Sequence, residues 1–294
     1  MIFDLYSLIS RATWGIRLRP GNLSLEDMMS IERGFVIPIG GAEKKIRQAT
    51  ILRRFTELCG GAAARIAVIP TASKLDDTGE VYRRAFATMG AGRIDILPIR
   101  DRAGAMSADV VAALGAASGI FMTGGDQLRL STILGGTEAA EAIRRANARG
   151  VHVAGTSAGA AFISEHMICY GRGGPTPRMG MTTLAPGLGL TRLAIVDQHF
   201  RERDRIGRLM TALAFNPALI GLGIDEDTAA FIDSGEVLEV VGSGGVTVLD
   251  PSGVTHSSMA AARKGGAVGI FGLKLNVLVS GDRFDLHRRT PVLG

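Results

Sequence analysis

Residues 151–162 read VHVAGTSAGAAF, an apolar run followed by a serine between two glycines and then by small residues. The apolar run is typical of a buried strand, and the alanines after Gly159 favour a helix. Glycines two positions before and two after Ser157 allow the backbone to turn sharply between them. Such a nucleophile elbow would lift the Ser157 hydroxyl clear of a sheet. The stretch therefore predicts an α/β fold with a serine hydrolase site, in which the Ala158 amide is one donor to a developing oxyanion.

Short β-branched runs alternate with longer helical segments after Gly34. The predicted strands are residues 35–39, 65–69, 94–97, 119–122 and 151–154, and the predicted helices between them are residues 44–59, 79–89, 107–117 and 137–149. This alternation predicts a mostly parallel sheet flanked by helices, with the site loops at its carboxyl edge. Later strands are predicted at residues 193–196, 220–224, 229–232, 237–241 and 246–249, which indicates a strand-rich C-terminal part. We expect a single catalytic domain over residues 34–294, preceded by an arm of unknown role, residues 1–33.

Composition excludes several function classes. The 33 basic and 28 acidic residues give a formal charge of +5, but aromatics are only 5% and the arginines are scattered, which argues against nucleic acid binding. The sequence contains no apolar run of the roughly 20 residues that span a bilayer, and no basic cluster precedes an apolar leader. Cys59 and Cys169 fit no metal or redox spacing, so a cytoplasmic protein without metal or cofactor is predicted.

Of the five histidines, His199 has the surroundings most typical of a catalytic base. It follows the apolar run at residues 193–196 and precedes an arginine-rich segment. A serine hydroxyl needs a histidine to take its proton, and the ends of parallel strands collect such groups. The other histidines are interpreted as structural or surface residues: His152, His166, His256 and His287.

Three acidic residues in a row offer a third member for such a site. Asp225, Glu226 and Asp227 follow the apolar run at residues 220–224. In an extended segment, alternation would place Asp225 and Asp227 on one side and Glu226 on the other, so only one side could meet a histidine. An acidic turn with solvated carboxylates is the alternative, and the spacing alone does not choose between them.

Four motifs, in the same order along the chain, resemble those of the cyanophycinases, serine exopeptidases of a family that also contains α-aspartyl dipeptidases. They are FMTGGDQLRL (residues 121–130), AGTSAGAA (154–161), DQHF (197–200) with the arginines after it, and GLGIDEDT (221–228). The resemblance runs from about Gly34 to about Leu286. It implies a triad of Ser157, His199 and Glu226, and a class I glutamine-amidotransferase-like (flavodoxin-like) sandwich that is usually a homodimer.

The resemblance also implies a substrate. Cyanophycin is a polyaspartate with arginine joined to each β-carboxyl group, and its hydrolysis releases β-Asp-Arg dipeptides. If residues 200–214 are helical, Arg205 and Arg208 share a face and could clamp a substrate carboxylate, with Arg203 nearby.

Side chains in the site loops would accept the substrate guanidinium: Gln127, Asp197 and Gln198. Gly125, in the Gly-Gly turn of the first motif, would be the second oxyanion donor beside Ala158.

Three alternatives stay open. An α/β-hydrolase esterase would have the same elbow but the chain order serine, acid, histidine, and would need His256 or His287 as base. An α-aspartyl dipeptidase-like peptidase would differ in linkage preference, which the residues do not determine. A non-catalytic relative, such as an amidotransferase-like partner subunit, would lack a member of the triad or carry a cysteine nucleophile.

Overall fold

The fold is seen in a computed structural model that describes residues 32–293. From Glu32 onward the chain forms one compact unit. The predicted N-terminal arm, residues 1–33, lies outside the described residues except for its last two positions, and both the arm and the single-domain organisation stay predictions.

The α-helices of the described part are α1 (Thr50–Leu58), α2 (Thr78–Thr88), α3 (Ala108–Gly115), α4 (Gln127–Leu134), α5 (Glu138–Ala148), α6 (Ala158–Ile163) and α7 (Ile206–Phe215). The strands before the acidic residues 225–227 are β1 (Val36–Ile39), β2 (Arg65–Ile69), β3 (Arg93–Ile96), β4 (Gly119–Met122), β5 (His152–Thr156), β6 (His166–Gly171), β7 (Thr182–Pro186), β8 (Ala194–Gln198) and β9 (Ile220–Ile224). The later strands are β10 (Thr228–Ile232), β11 (Val237–Gly242), β12 (Val246–Asp250), β13 (His256–Ser257), β14 (Ile270–Phe271), β15 (Lys274–Leu278), β16 (Arg283–Asp285) and β17 (Thr290–Pro291).

A nine-stranded sheet forms the centre, in the order β17-β16-β11-β10-β1-β5-β4-β2-β3. The five strands β1, β5, β4, β2 and β3 are parallel to one another. In this half, Ala154 of β5 lies beside Ile37 of β1 on one side and beside Phe121 of β4 on the other. Apart from the edge strand β3, whose sequence is RIDI, the strands of this half are short apolar runs that are largely buried, as helices on either side require. The predicted α/β architecture, a mostly parallel sheet flanked by helices, is therefore confirmed.

The late strands are distributed over more than one sheet, which the sequence does not predict. β10 and β11 extend the first sheet with antiparallel pairs, whereas β8 and β9 join β12 and β15 in a second sheet of order β15-β12-β9-β8. Helix α6 contacts β1 and β5 of the first sheet and β8 of the second. All six of its residues are buried, and four of them are alanine or glycine, so two sheets can approach it closely.

Two predicted helices start later than their sequence patterns indicate. The first begins at Thr50 rather than residue 44, so residues 40–49 form a long loop at the carboxyl end of β1. The second begins at Ile206 rather than residue 200, because the segment after His199 makes tight turns with Asp204 at a φ of +47°. Both shifts add loop at the edge of the sheet where the site lies.

Candidate active site

The elbow is a strained turn held on both sides. Ser157 has φ +52° and ψ −110°, a conformation that costs a non-glycine residue on the order of 1–3 kcal/mol. Its N–H donates to the Ile39 carbonyl of β1 at 2.9 Å, which ties the turn to the sheet. A side chain at Gly155 would collide with the backbone of Gly159, so both flanking glycines are required by the close approach of strand and helix.

The three predicted triad residues lie within mutual reach. Ser157 Oγ is 2.9 Å from His199 Nε2, and His199 Nδ1 is 2.6 Å from Glu226 Oε1. His199 is only 7% exposed, whereas the side chain of Glu226 is 36% exposed. The imidazole therefore bridges a partly exposed hydroxyl and a partly solvated carboxylate. Such an arrangement lets a histidine take a proton from serine while a carboxylate fixes its tautomer.

The charge state of His199 suits a base. Burial lowers its pKa below the ordinary value, and the cations Arg203 and Arg205 lower it further, while the hydrogen bond to Glu226 raises it. The net direction is down, so the imidazole is neutral and able to accept a proton at neutral pH.

The acidic run folds as a turn between β9 and β10, so strand alternation does not apply to it. Asp225 is buried, and its oxygens accept from the N–H groups of Arg201 and Gly245. Asp227, at φ +49°, accepts from the Lys44 N–H. Both neighbours are thus occupied by the backbone of other loops, and Glu226 alone of the three reaches His199.

The loop after β1 binds both His199 and the turn that carries Glu226, and sequence reasoning did not assign it this role. The Gly40 carbonyl accepts from the His199 N–H, and the Gly41 carbonyl accepts from the Asp227 N–H, both at 2.8 Å. Gly41 has φ +103°, and a Cβ there would lie 2.6 Å from His199 Nε2. The only signal in the sequence was the Gly-Gly pair at the end of a parallel strand.

A buried network under the elbow begins in the same loop. Glu43 is 3% exposed and accepts hydrogen bonds from the hydroxyls of Thr156 and Tyr82, each at 2.5 Å. Burial, followed by the charge of Glu43, raises the pKa of Tyr82 well above its ordinary value, so its hydroxyl keeps its proton and donates. Lys45 Nζ lies 3.4 Å from the same carboxylate. Because Thr156 directly precedes Ser157, this network fixes the strand end that carries Ser157.

The two amides predicted as oxyanion donors, the N–H groups of Gly125 and Ala158, are without an acceptor in the described part of the chain. Gly125 adopts φ +142°, and a side chain there would collide with the Ala72 carbonyl. Its neighbour Gly124 approaches so closely that an added Cβ would lie 3.7 Å from Ser157 Oγ.

Comparisons with known proteins agree with this geometry. The model of peptidase family S51 matches residues 35–240, which is most of the chain. The chain belongs to peptidase family S51. It is a serine-type peptidase.

Among its relatives are cyanophycinases. The one from Nostoc sp. is 44% identical over 87% of this chain and 86% of its own length. Those from Thermosynechococcus vestitus (41%, over 87% and 80%) and Geminocystis herdmanii (39%, over 89% and 97%) are also similar. Among solved structures, a peptidase from an acI-B1 Actinobacterium shares the fold, with a TM-score of 0.64, 21% identity, and coverage of 87% of this chain and 98% of the other.

In this S51 peptidase, two of the predicted substrate-binding arginines are buried in ion pairs. Arg208 is 3% exposed and makes a two-pronged ion pair with Asp197, its Nε lying 2.7 Å from Asp197 Oδ2. Arg205 Nη1 donates to Gln198 Oε1 at 2.7 Å and lies 3.5 Å from Asp197. The carboxylate clamp formed by Arg205 and Arg208 stays a prediction, and in the structure both cations are buried on acceptors of their own motif. Asp197 and Gln198 are also buried, and their side-chain oxygens already accept from these two arginines.

The other two predicted contacts differ from this buried cluster. Arg203 is exposed, and it has no carboxylate within ion-pair distance in the described part of the chain. Gln127 is partly buried, and its Nε2 donates to the Cys169 carbonyl at 2.7 Å, which leaves its oxygen without a partner among residues 32–293. Arg203 thus presents a free cation next to His199, and Gln127 a free acceptor.

Three further observations concern metal ligands, membrane-spanning helices and the two cysteines. Within residues 32–293 no cluster of three or more His, Cys, Asp and Glu side chains is arranged to hold a metal ion. In the same range, no helix has the length and apolar character needed to cross a bilayer. Cys59 and Cys169 are free, and burial raises the pKa of both thiols, so neither is a ready nucleophile.

Proposed function

We propose that this S51 peptidase hydrolyses the polyaspartate backbone of cyanophycin as an exopeptidase, with Ser157 as nucleophile, His199 as general base and Glu226 as the orienting acid. The observation that carries the proposal is the continuous hydrogen-bonded chain from Ser157 Oγ through His199 to Glu226, with distances of 2.9 and 2.6 Å. The cyanophycinase relatives at 39–44% identity support the substrate.

The reaction runs through an acyl-enzyme. His199 Nε2 takes the Ser157 proton as Oγ attacks the carbonyl of an Asp-Asp peptide bond. The tetrahedral oxyanion accepts from the Gly125 and Ala158 amides, each worth on the order of 3 kcal/mol of transition-state stabilisation. His199 then donates its proton to the leaving amine, and a water molecule, deprotonated by His199, hydrolyses the ester. The hydrogen bond from the Ser157 N–H to the Ile39 carbonyl holds the elbow, and with it Oγ, in position during these steps.

Substrate recognition is assigned to groups that the structure leaves unpaired. Arg203 is exposed beside His199 and would bind a carboxylate of the β-Asp-Arg unit. The Gln127 side-chain oxygen would accept from the substrate guanidinium, since its amide nitrogen is already bonded to the β6 backbone. Arg205, Arg208, Asp197 and Gln198 act one layer behind, because they hold the strand end from which His199 projects.

An esterase of the α/β-hydrolase type is not supported. Its base would be His256 or His287, whereas His256 is exposed on β13 and packs against Phe271. An α-aspartyl dipeptidase-like specificity uses the same triad and stays the second candidate for substrate.

We also propose that the enzyme acts in the cytoplasm as a homodimer, as the resemblance implies. The free, buried thiols of Cys59 and Cys169 suit a reducing compartment. Light scattering on the purified full chain checks the assembly state, for which we expect twice the mass of 30.8 kDa.

Product analysis tests the proposed substrate. The full chain is incubated with cyanophycin granules and, separately, with α-linked aspartyl dipeptides, and soluble products are identified by mass. We expect β-Asp-Arg from the polymer and little hydrolysis of the dipeptides. Hydrolysis of the dipeptides without release of β-Asp-Arg would replace the proposal with the dipeptidase alternative.

A further inference from the structure

A groove lies beside the loop that follows His199. It has a volume of about 850 Å³ and is lined by the end of β6, by the segment leading to β7, and by Lys264 and Gly265. Ligand sites in proteins typically enclose roughly 300–1,000 Å³, so the groove is large enough for an extended ligand.

The walls of the groove are fixed by backbone hydrogen bonds between distant segments. The Val268 N–H donates to the Pro177 carbonyl, and the Met179 N–H donates to the Gly266 carbonyl, at 2.9 and 3.0 Å. On the other side, the Arg178 N–H donates to a threonine hydroxyl on α7. The cationic residues of the groove are therefore presented from an ordered frame.

The charge of the groove is one-sided. Arg172, Arg178 and Lys264 line it, no aspartate or glutamate does, and none of the three has a carboxylate within ion-pair distance among residues 32–293. Arg178 donates to the Gly265 carbonyl at 3.1 Å and keeps its other N–H groups free. Asp204 borders the groove, but its contact with the groove wall is through its backbone carbonyl. Clustered cations without counter-charges create a field that attracts the carboxylate groups of a ligand.

The groove is joined to the active site through backbone contacts. Arg208, from the buried cluster behind His199, donates to the Gly171 carbonyl at 3.2 Å, and the Gly174 N–H donates to the carbonyl of Asp204. Arg203, the exposed cation near His199, contacts the wall at Gly173 through its own carbonyl. The loop that follows His199 therefore forms part of the support of the groove wall.

We propose that the groove is an extended subsite for the carboxylates of cyanophycin repeats beyond the dipeptide that is released; this rests on the proposed function. In each repeat the arginine is joined through its α-amino group, so its α-carboxylate is free. A guanidinium of the protein binds such a carboxylate with two parallel hydrogen bonds, while the substrate guanidinium extends towards water. The groove would select the polymer over short peptides and hold it between successive cleavages.

The test is a binding measurement that needs no turnover. In the full chain carrying Ser157→Ala, calorimetry gives Kd for a two-repeat oligomer and for a long cyanophycin oligomer, with and without the pair Arg172→Gln and Lys264→Gln. We expect the pair to weaken binding of the long oligomer about tenfold and to change binding of the short one less than twofold. Arg149→Gln is the control, because this exposed arginine follows α5 next to the amino end of β5, at the opposite edge of the sheet. Unchanged binding of the long oligomer, or equal losses for both lengths, would overturn the subsite.

A second probe tests the chemistry of recognition. A long oligomer whose arginine α-carboxylates are converted to amides should bind the parent and the double variant with equal Kd. A tenfold difference that persists with this oligomer would rule out carboxylate recognition. Failure of the proposed function is read separately, from the absence of β-Asp-Arg when the wild-type chain meets cyanophycin.

Discussion

Arginines on the two sides of the His199 loop are used in opposite ways. Arg205 and Arg208 are buried on Asp197 and Gln198, where every cation has its acceptor within the same short segment. The groove cations and Arg203 are exposed and have no carboxylate partner among the described residues. The difference teaches that proximity to a catalytic residue does not make a charge available to substrate. A charge whose partner lies in its own motif supports the structure, and one without a partner can bind a ligand.

The proposed triad is adjacent to the buried arginines, and its loss should give the largest effect. Ser157→Ala should lower kcat on cyanophycin by on the order of 10⁵-fold, because no other group in the site can form the acyl-enzyme. Initial rates of β-Asp-Arg release measure this loss. Ser131→Ala, on α4 with its hydroxyl bonded to the Pro186 carbonyl, is the matched control and should keep full activity. Activity retained in Ser157→Ala would exclude the serine mechanism.

A substitution in the buried cluster of Arg205, Arg208 and Asp197 should lower the stability of the protein. Asp197→Asn leaves two buried guanidinium groups without their counter-charge, which should cost about 3–5 kcal/mol of unfolding free energy. Burial already lowers the pKa of Arg205 to about 10, partly offset by Asp197, so the site tolerates its charge only with that partner. Denaturant unfolding checks the loss. Arg201→Gln should cost less than about 1 kcal/mol, because that side chain is 74% exposed.

The loop after β1 should affect the rate more than the stability. Gly41→Ala puts a methyl group against His199 and should displace the imidazole enough to lower kcat about 100-fold. Gly90→Ala is the matched control, since Gly90 also has a positive φ, +86°, but an added Cβ meets nothing within 4 Å. Both variants should lose stability, because alanine is strained at a positive φ, and Gly41→Ala should lose more because its methyl group also meets His199. Equal kcat values for the two would show that Gly41 does not position the base.

A substitution of the exposed Arg203 should give the smallest effect, a shift in the pH dependence of kcat/KM. Arg203 lowers the pKa of His199, so Arg203→Gln removes a nearby positive charge and makes the protonated imidazole less unfavourable. The pKa then rises, and the acid limb of kcat/KM moves to higher pH. Profiles of kcat/KM against pH for Arg203→Gln and for Arg149→Gln compare a cation beside the base with a remote one. A limb that does not move, or moves to lower pH, would contradict the role of Arg203.

What could be predicted from the sequence was set by short-range patterns. The elbow, the parallel strands and the position of His199 at a strand end each depend on a few adjacent residues. The choice of Glu226 came from the family resemblance, because the acidic run alone left the alternatives equal. In the structure it is a turn, whose other two acids are bound by Lys44 and Gly245 from loops far away in the chain.

What could not be predicted depends on partners distant in the sequence. Glu43 meets Thr156 across 113 positions, and no local pattern marks the pair. The second sheet forms because α6 is small enough to be covered on two sides, a consequence of tertiary packing rather than of strand propensity. The burial of Arg205 and Arg208 could not be predicted either, because helical spacing places side chains on a face without revealing whether that face is buried.

Covalent labelling tests the central claim most directly. A fluorophosphonate reagent reacts with a serine only when its hydroxyl is activated by a neighbouring base, and peptide mass analysis locates the adduct. We predict one adduct, on Ser157 in the wild-type chain, and none in His199→Ala that retains the wild-type unfolding free energy. Labelling at another residue, or undiminished labelling of Ser157 without His199, would contradict the account.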